Sequence, residues 1–222
     1  MNTIISKCIQ IPFLWMLLLI SQPSIAEEVE RTFEVGVDYQ IITRSDSQES
    51  VLQDFAQLSE LETITNIEIF YWFGCESCYQ VESAISDYLR LNPKLTLRRT
   101  PLIVRANWRS QAYIQPLMLQ LSPLQNLPTT MDIYQQCLTD CDRLKDFDSI
   151  LDWFSEKLAE QALPLINRKL VWQTEKNYQK RAELFSISQV PTIIINETYK
   201  IDANQAQTAK RLVAIIDFLV AK

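Results

Sequence analysis

Gly74-Cys75-Glu76-Ser77-Cys78 sets two thiols one helical turn apart, where the apolar aromatic run 67–73 gives way to helical periodicity. A strand ending in a turn delivers the first cysteine to the start of a helix. There the unpaired N–H groups and the positive end of the helix dipole favour a thiolate on Cys75. Cys78 is close enough to close a disulfide with Cys75, or to attack a mixed disulfide formed on it. The pair is a candidate dithiol/disulfide redox centre.

The remaining composition narrows the chemistry. The chain has no histidine, so a Ser-His-Asp triad, a Cys-His hydrolase pair and a histidine metal site are all excluded. Gly36 and Gly74 are its only glycines, which removes glycine-rich phosphate loops and dinucleotide fingerprints. With 27 acidic against 21 basic residues the net charge is −6, and no nucleic-acid partner is expected.

Residues 1–26 read as a cleaved secretory signal. Lys7 opens it, an apolar stretch follows over 9–20, and Ser24-Ile25-Ala26 offers small residues at the cleavage positions. The alternative is a retained anchor, but the stretch is about a dozen residues long and broken by Pro12, short against the roughly 20 that span a bilayer. Cys8 leaves with the signal. Cys75, Cys78, Cys137 and Cys141 then remain, in a compartment where disulfides persist. The rest is the length of one large domain or a domain with an inserted lobe.

The elements that must position the pair follow from periodicity. Residues 33–42 alternate loosely like a strand through Phe33, Val35, Val37, Tyr39 and Ile41, and 44–62 form a polar connection with a short helical piece over 51–55. Residues 65–73 are apolar enough for a buried strand. Val81, Ile85, Tyr88 and Leu89 then recur at helical spacing and stop before Asn92-Pro93, and Leu95, Leu97 and 102–104 suggest the next strand. Helices separated by Pro116, Pro123, Pro128 and Pro164 fill 108–186. A hairpin follows, Thr192–Ile195 and 198–201 around Asn196-Glu197, and a final helix over 204–221 places Ala206, Ala209, Leu212, Val213, Ile216 and Leu219 on one face.

This order, together with residues 70–82 (FYWFGCESCYQVE) and 189–199 (QVPTIIINETY), resembles the DsbA family of thioredoxin-fold disulfide oxidoreductases. The resemblance implies an α/β, thioredoxin-like fold with an inserted all-helical lobe: residues 27–106 and 187–222 form the thioredoxin-like part and 107–186 the lobe. It implies that Cys75 is the exposed nucleophile, that Cys78 is buried and resolves the mixed disulfide, and that Pro191 is usually cis beside the pair. No cofactor beyond the redox-active disulfide and no metal is expected. The implied setting is the periplasm, the partners reduced or unfolded secreted proteins and a DsbB-like membrane quinone reductase. Independently of the family, Pro191 removes a backbone donor beside the sulfurs and leaves the Val190 backbone open to an extended substrate segment.

Two departures bear on the chemistry. Where the family dipeptide is Pro-His, this chain has Glu76-Ser77, and a carboxylate about 6 Å from a forming thiolate repels it by roughly 1 to 3 kcal/mol, depending on how wet the site is. A costlier thiolate stabilises the disulfide, so the chain is predicted to be a weaker oxidant than the strong DsbA type at about −120 mV, displaced toward thioredoxin at about −270 mV. The second departure is the buried carboxylate that relatives keep in the preceding strand. Glu68 lies at an odd offset from Cys75 and Ile69 takes the even one, so Glu68 is read as a strand-end surface glutamate, with a proton-relay role as the alternative.

Cys137 and Cys141 share a face if their segment is helical; a bridge there is easier if Thr139-Asp140 breaks the helix. A structural disulfide stapling the lobe is favoured over two buried thiols or a second redox relay. Residues 70–73 read as packing rather than a substrate-binding surface, and Trp108, Trp153 and Trp172 as core anchors of the lobe rather than ligand contacts. Three functions stand: an oxidase donating the Cys75-Cys78 disulfide, a reductase or isomerase kept reduced by a membrane donor, and a zinc module using all four cysteines.

Overall fold

The computed structural model of the chain describes residues 32–43, 66–158 and 163–222. The expected signal segment and the short helix over 51–55 lie outside the described residues. Five strands build one sheet: β1 (Gln40–Ile41), β2 (Ile67–Tyr71), β3 (Leu97–Pro101), β4 (Thr192–Ile195) and β5 (Tyr199–Asp202), in the spatial order β1-β5-β4-β2-β3. β2 and β3 are parallel and every other pairing is antiparallel.

β2 is buried along its whole length, and its alternation divides the core. Ile67, Ile69 and Tyr71 join a large cluster with Ile193, Ile195, Cys78 and Ile85, and with Leu212, Ile215, Ile216 and Leu219 of the last helix. Phe70 and Ile194 enter a smaller cluster on the opposite face with Phe185 and Leu184. Helix α1 (Glu76–Leu91) covers the first face and ends at Asn92, whose backbone N–H caps the Tyr88 carbonyl just before Pro93.

Between β3 and β4 run α2 (Arg109–Ala112), α3 (Ile114–Leu121), α4 (Thr130–Asp140), α5 (Phe147–Leu158) and α6 (Arg168–Leu184). Their apolar stripes, including Ile114, Leu117, Ile133 and Phe154, enter the same large cluster as the sheet. Pro116 does not separate helices. It lies in the first turn of α3, where its missing N–H has no intrahelical acceptor to lose. Helix α7 (Ala209–Val220) packs beside α1, and the Tyr88 hydroxyl donates to Asp217 at 2.9 Å.

Two expected strands are shorter than their patterns. Over 33–42 only Gln40–Ile41 is a strand, because Gly36, at φ 85°, turns the chain and Glu34 N–H bonds the Asp38 carboxylate. β3 is Leu97–Pro101, inside the expected stretch from Leu95 to Val104 and short of its apolar end: its Arg99 and Thr100 meet the buried carboxylates of Glu82 and Glu68, so hydropathy hides its centre. The hairpin turn is as expected, with Asn196 and Glu197 both at positive φ and Thr198 N–H bonding the Ile195 carbonyl at 2.9 Å.

Candidate functional site

β2 runs through Phe73 to Gly74, where a Cβ would overlap the Trp72 indole, so only glycine lets that ring lie across the chain. Cys75 follows as the N-cap of α1, in extended conformation (φ −108°, ψ 111°), with its N–H on the Trp72 carbonyl at 3.2 Å. Its sulfur accepts the Cys78 N–H at 3.1 Å, an unpaired donor of the first turn serving as ligand to sulfur. Ser77 Oγ stands 3.4 Å from the same sulfur. Cys75 and Cys78 are disulfide-bonded with Cα atoms 5.2 Å apart, so neither carries a proton and the Ser77 hydroxyl is the donor. Cys75 is half-buried, Cys78 is fully buried, and Glu76 is exposed. An anion forming on Cys75 would meet two donors and the helix dipole, opposed by one solvated carboxylate.

The Val190-Pro191 peptide is cis. Val190 packs against the apolar cluster that Cys75 and Cys78 join, and Pro191 is buried with its carbonyl accepting from Ala203 N–H at 3.1 Å. The Asn204 side-chain amide donates to the Val190 carbonyl at 3.3 Å. Asn204 and Ser77 line one cavity of about 150 Å³ between the start of α1 and the β5–α7 connection, which joins the proline segment to the cysteine motif. Cys75, Ser77, Cys78, Val190 and Pro191 thus belong to one locality, while the Glu76 side chain turns to solvent.

Glu68 is not a surface residue. It is 2% exposed and leaves β2 on the Phe70 face, as its odd offset from Cys75 requires. Arg181 of α6 clamps it through two hydrogen bonds of 2.8 and 2.6 Å, and the Thr100 hydroxyl donates at 2.5 Å. The carboxylate is a tie between lobe and sheet, across the sheet from the Cys78 cluster. The surface assignment failed because Arg181 is 113 residues away in sequence.

On the Cys78 side lies another buried acid that hydropathy reading overlooked. Glu82, 1% exposed, is one turn after Cys78 on the buried face of α1 and takes three hydrogen bonds from Arg99, the shortest 2.6 Å. A charged residue at the i+4 position of an otherwise apolar stripe was its signal. Burial draws the Arg99 guanidinium down, but the Glu82 carboxylate outweighs it and raises the group. Beside this pair, burial holds the Tyr71 and Tyr134 hydroxyls protonated far above the ordinary range. Tyr71 donates to Gln115 at 3.0 Å.

Cys137 and Cys141 are bridged to each other. α4 ends at Asp140, whose non-helical backbone (φ −153°, ψ 86°) breaks the helix before Cys141. The helix of the lobe disulfide reaches the motif by packing and a hydrogen bond: Tyr134, one turn before Cys137, lies 4.9 Å from the Phe73 ring and 6.0 Å from Tyr79, and the Gln135 amide donates to the Tyr79 hydroxyl at 3.5 Å. The four sulfurs form two separate bridges, and among the described residues no three potential ligands converge on a metal position. Of the lobe tryptophans only Trp153 is a core anchor. Trp172 is 48% exposed on α6, and Trp108 is half-buried, stacked on Trp72 at 4.4 Å and 5° between planes.

A C-x-x-C disulfide at a helix start, beside a cis-proline hairpin and under an inserted helical lobe, defines an α/β thioredoxin fold of the DsbA kind. No family model matches the sequence. Solved structures share the fold: a variant of Pseudomonas aeruginosa DsbA has a TM-score of 0.68 at 15% identity, over 86% of this chain and 97% of that one. DsbA from Klebsiella pneumoniae has 0.64 at 14%, over 86% and 100%. A serine variant of Proteus mirabilis DsbA, solved with a non-covalently bound peptide, PWATCDS, also has 0.64 at 14%, over 86% and 100%.

Proposed function

We propose that the chain is a thiol:disulfide oxidoreductase of the periplasm that donates its Cys75-Cys78 disulfide to reduced client proteins. The observation that carries this is the asymmetry of the bridge: Cys75 is half-exposed at a helix N-cap with two donors on its sulfur, while Cys78 is sealed in the core. A client thiolate can reach only Cys75. Its attack forms the client–Cys75 bond and breaks the bridge, and Cys78 leaves as a thiolate that takes up a proton. A second client thiolate then attacks the client sulfur of the mixed disulfide and expels Cys75. Two electrons and two protons pass from the client to the pair, and a new client disulfide remains.

A client segment lies beside Val190 and Pro191 as an added strand, and the Proteus mirabilis relative's binding of a peptide supports a peptide client. Glu76 makes the chain a weaker oxidant than the strong DsbA type, with the repulsion at its weak, solvated end because the residue is exposed. Reoxidation by a DsbB-like membrane quinone reductase completes the cycle, and the expected export signal supports the location. The second reading, a reductase or isomerase kept reduced by a membrane donor, draws on the same acidic residue.

The test traps the intermediate. Cys78→Ser protein activated on Cys75 should accumulate a mixed disulfide with a reduced cysteine peptide, and wild-type oxidised protein should release that peptide as a disulfide. Absence of any adduct on Cys75 contradicts the proposal.

A further inference from the structure

Helix α6 buries Val171, Glu175, Tyr178 and Ala182, which recur at i, i+4, i+7 and i+11 along one side. Its opposite side presents Lys169, Trp172, Lys176 and Lys180, at i, i+3, i+7 and i+11, all exposed. Acids outnumber bases 27 to 21 in the chain, yet these three lysines form no salt bridge among the described residues. The acids close to them are engaged or peripheral. Asp148 is held by Arg168 at 3.4 Å, and the buried Glu175 lies 3.8 Å from Arg109. Glu183, in the last turn, is the one carboxylate of α6 open to solvent.

Large apolar side chains gather at the start of the same helix. Leu165 and Leu170, both exposed, flank its N-cap Asn167. Gln120 of α3 exchanges two hydrogen bonds with the Asn167 backbone, at 2.6 and 3.4 Å, which brings the exposed Leu119 to this end as well. Single apolar side chains projecting from a convex helix offer no shaped groove to a protein partner. They suit a fluid apolar layer beneath an anionic surface, in which the indole lies at headgroup level and the lysine ammonium groups reach the phosphates.

We infer that the exposed face of α6, with the apolar side chains around its start, docks the protein onto an anionic phospholipid surface. Lys169, Lys176 and Lys180 supply the attraction, and Trp172, Leu165, Leu170 and Leu119 enter the interface. A net charge of −6 repels the rest of the chain from such a surface, so the contact also orients the molecule. None of these residues belongs to the redox locality, and the inference stands apart from the disulfide-exchange reading.

The test is sedimentation of the protein, as isolated after export, with vesicles of phosphatidylglycerol and phosphatidylcholine or of phosphatidylcholine alone. Binding is expected to the anionic vesicles only, and it should fade as salt rises. Lys176→Gln together with Lys180→Gln should weaken it roughly 25-fold, about fivefold per lysine, and Trp172→Ala should weaken it severalfold. Lys200→Gln together with Lys210→Gln makes the same charge change on β5 and α7 and should bind as wild type. All variants should keep the wild-type urea midpoint and Cys75-Cys78 potential. Equal binding to both kinds of vesicle, or to neither, would overturn the inference, the latter in favour of an acidic protein partner. Equal loss in the two double-lysine variants would also overturn it, because net charge alone would then account for the binding.

Discussion

Arg98 and Arg99, consecutive on β3, leave the sheet through opposite faces into different charged surroundings. Arg99 closes on Glu82 beneath the redox helix, whereas Arg98 enters the face of Arg181, Glu197 and Tyr178. Burial and the like charge of Arg181 hold the Arg98 guanidinium down to about 10. A one-residue slip of β3 would exchange these partners, so the two arginines fix its register.

The Glu68–Arg181 pair gives the first prediction. Glu68→Gln leaves the buried Arg181 guanidinium with only the partly exposed Glu197 carboxylate, at 3.3 Å, as counter-charge and should destabilise the protein by about 3 kcal/mol in urea unfolding. Because Glu68 faces away from the Cys78 cluster, the reduction potential of the variant should match wild type. A shifted potential with unchanged stability would restore its proton-relay role.

Glu76 and Ser77 act on the Cys75 thiolate with opposite signs. Glu76→Gln removes a repulsion, lowers the thiol pKa and favours the reduced form, raising the potential by about 20 mV. Ser77→Ala removes a donor, raises the pKa and should lower the potential by about 20 mV. Equilibration of each variant with glutathione reads both, and shifts of the same sign would contradict the assignment.

Alkaline stability follows from the tyrosines. Tyr71, Tyr134, Tyr88 and Tyr178 are all raised above the ordinary phenol value, each chiefly by burial. A raised folded pKa contributes stability that is complete below the unfolded value of about 10 and is lost as pH rises beyond it. The urea midpoint should therefore fall above about pH 10. These four of the eight tyrosines should ionise only as the chain unfolds, seen in tyrosinate absorbance. Titration of all eight in the folded protein would contradict this.

The lobe disulfide closes a short loop, which limits its entropic contribution to about 2 kcal/mol. Replacing Cys137 and Cys141 together by serine should lower stability by that order and leave the Cys75-Cys78 potential where it was. A displaced potential would indicate exchange between the bridges.

The site was more legible in the sequence than the core around it. The cysteine motif, the Asn196-Glu197 hairpin and the final helix are local patterns, and residues within a few positions of one another determine them, whereas the cis form of Pro191 was expected only from the family resemblance. The odd offset of Glu68 indicated its face, but its burial depended on Arg181, a partner from another lobe. β3 lies within the expected stretch from Leu95 to Val104, but its polar centre, satisfied by Glu82 of α1 and Glu68 of β2, was hidden from hydropathy. Trp172 and Trp108 show the same limit: a large apolar side chain has no fixed burial until its neighbours are known.

The central claim is tested most directly by the reduction potential of the Cys75-Cys78 couple, measured with Cys137 and Cys141 replaced by serine. A reversible two-electron couple between about −120 and −270 mV is the expected result. A potential at or above about −120 mV, or no reversible couple on these two cysteines, would contradict it.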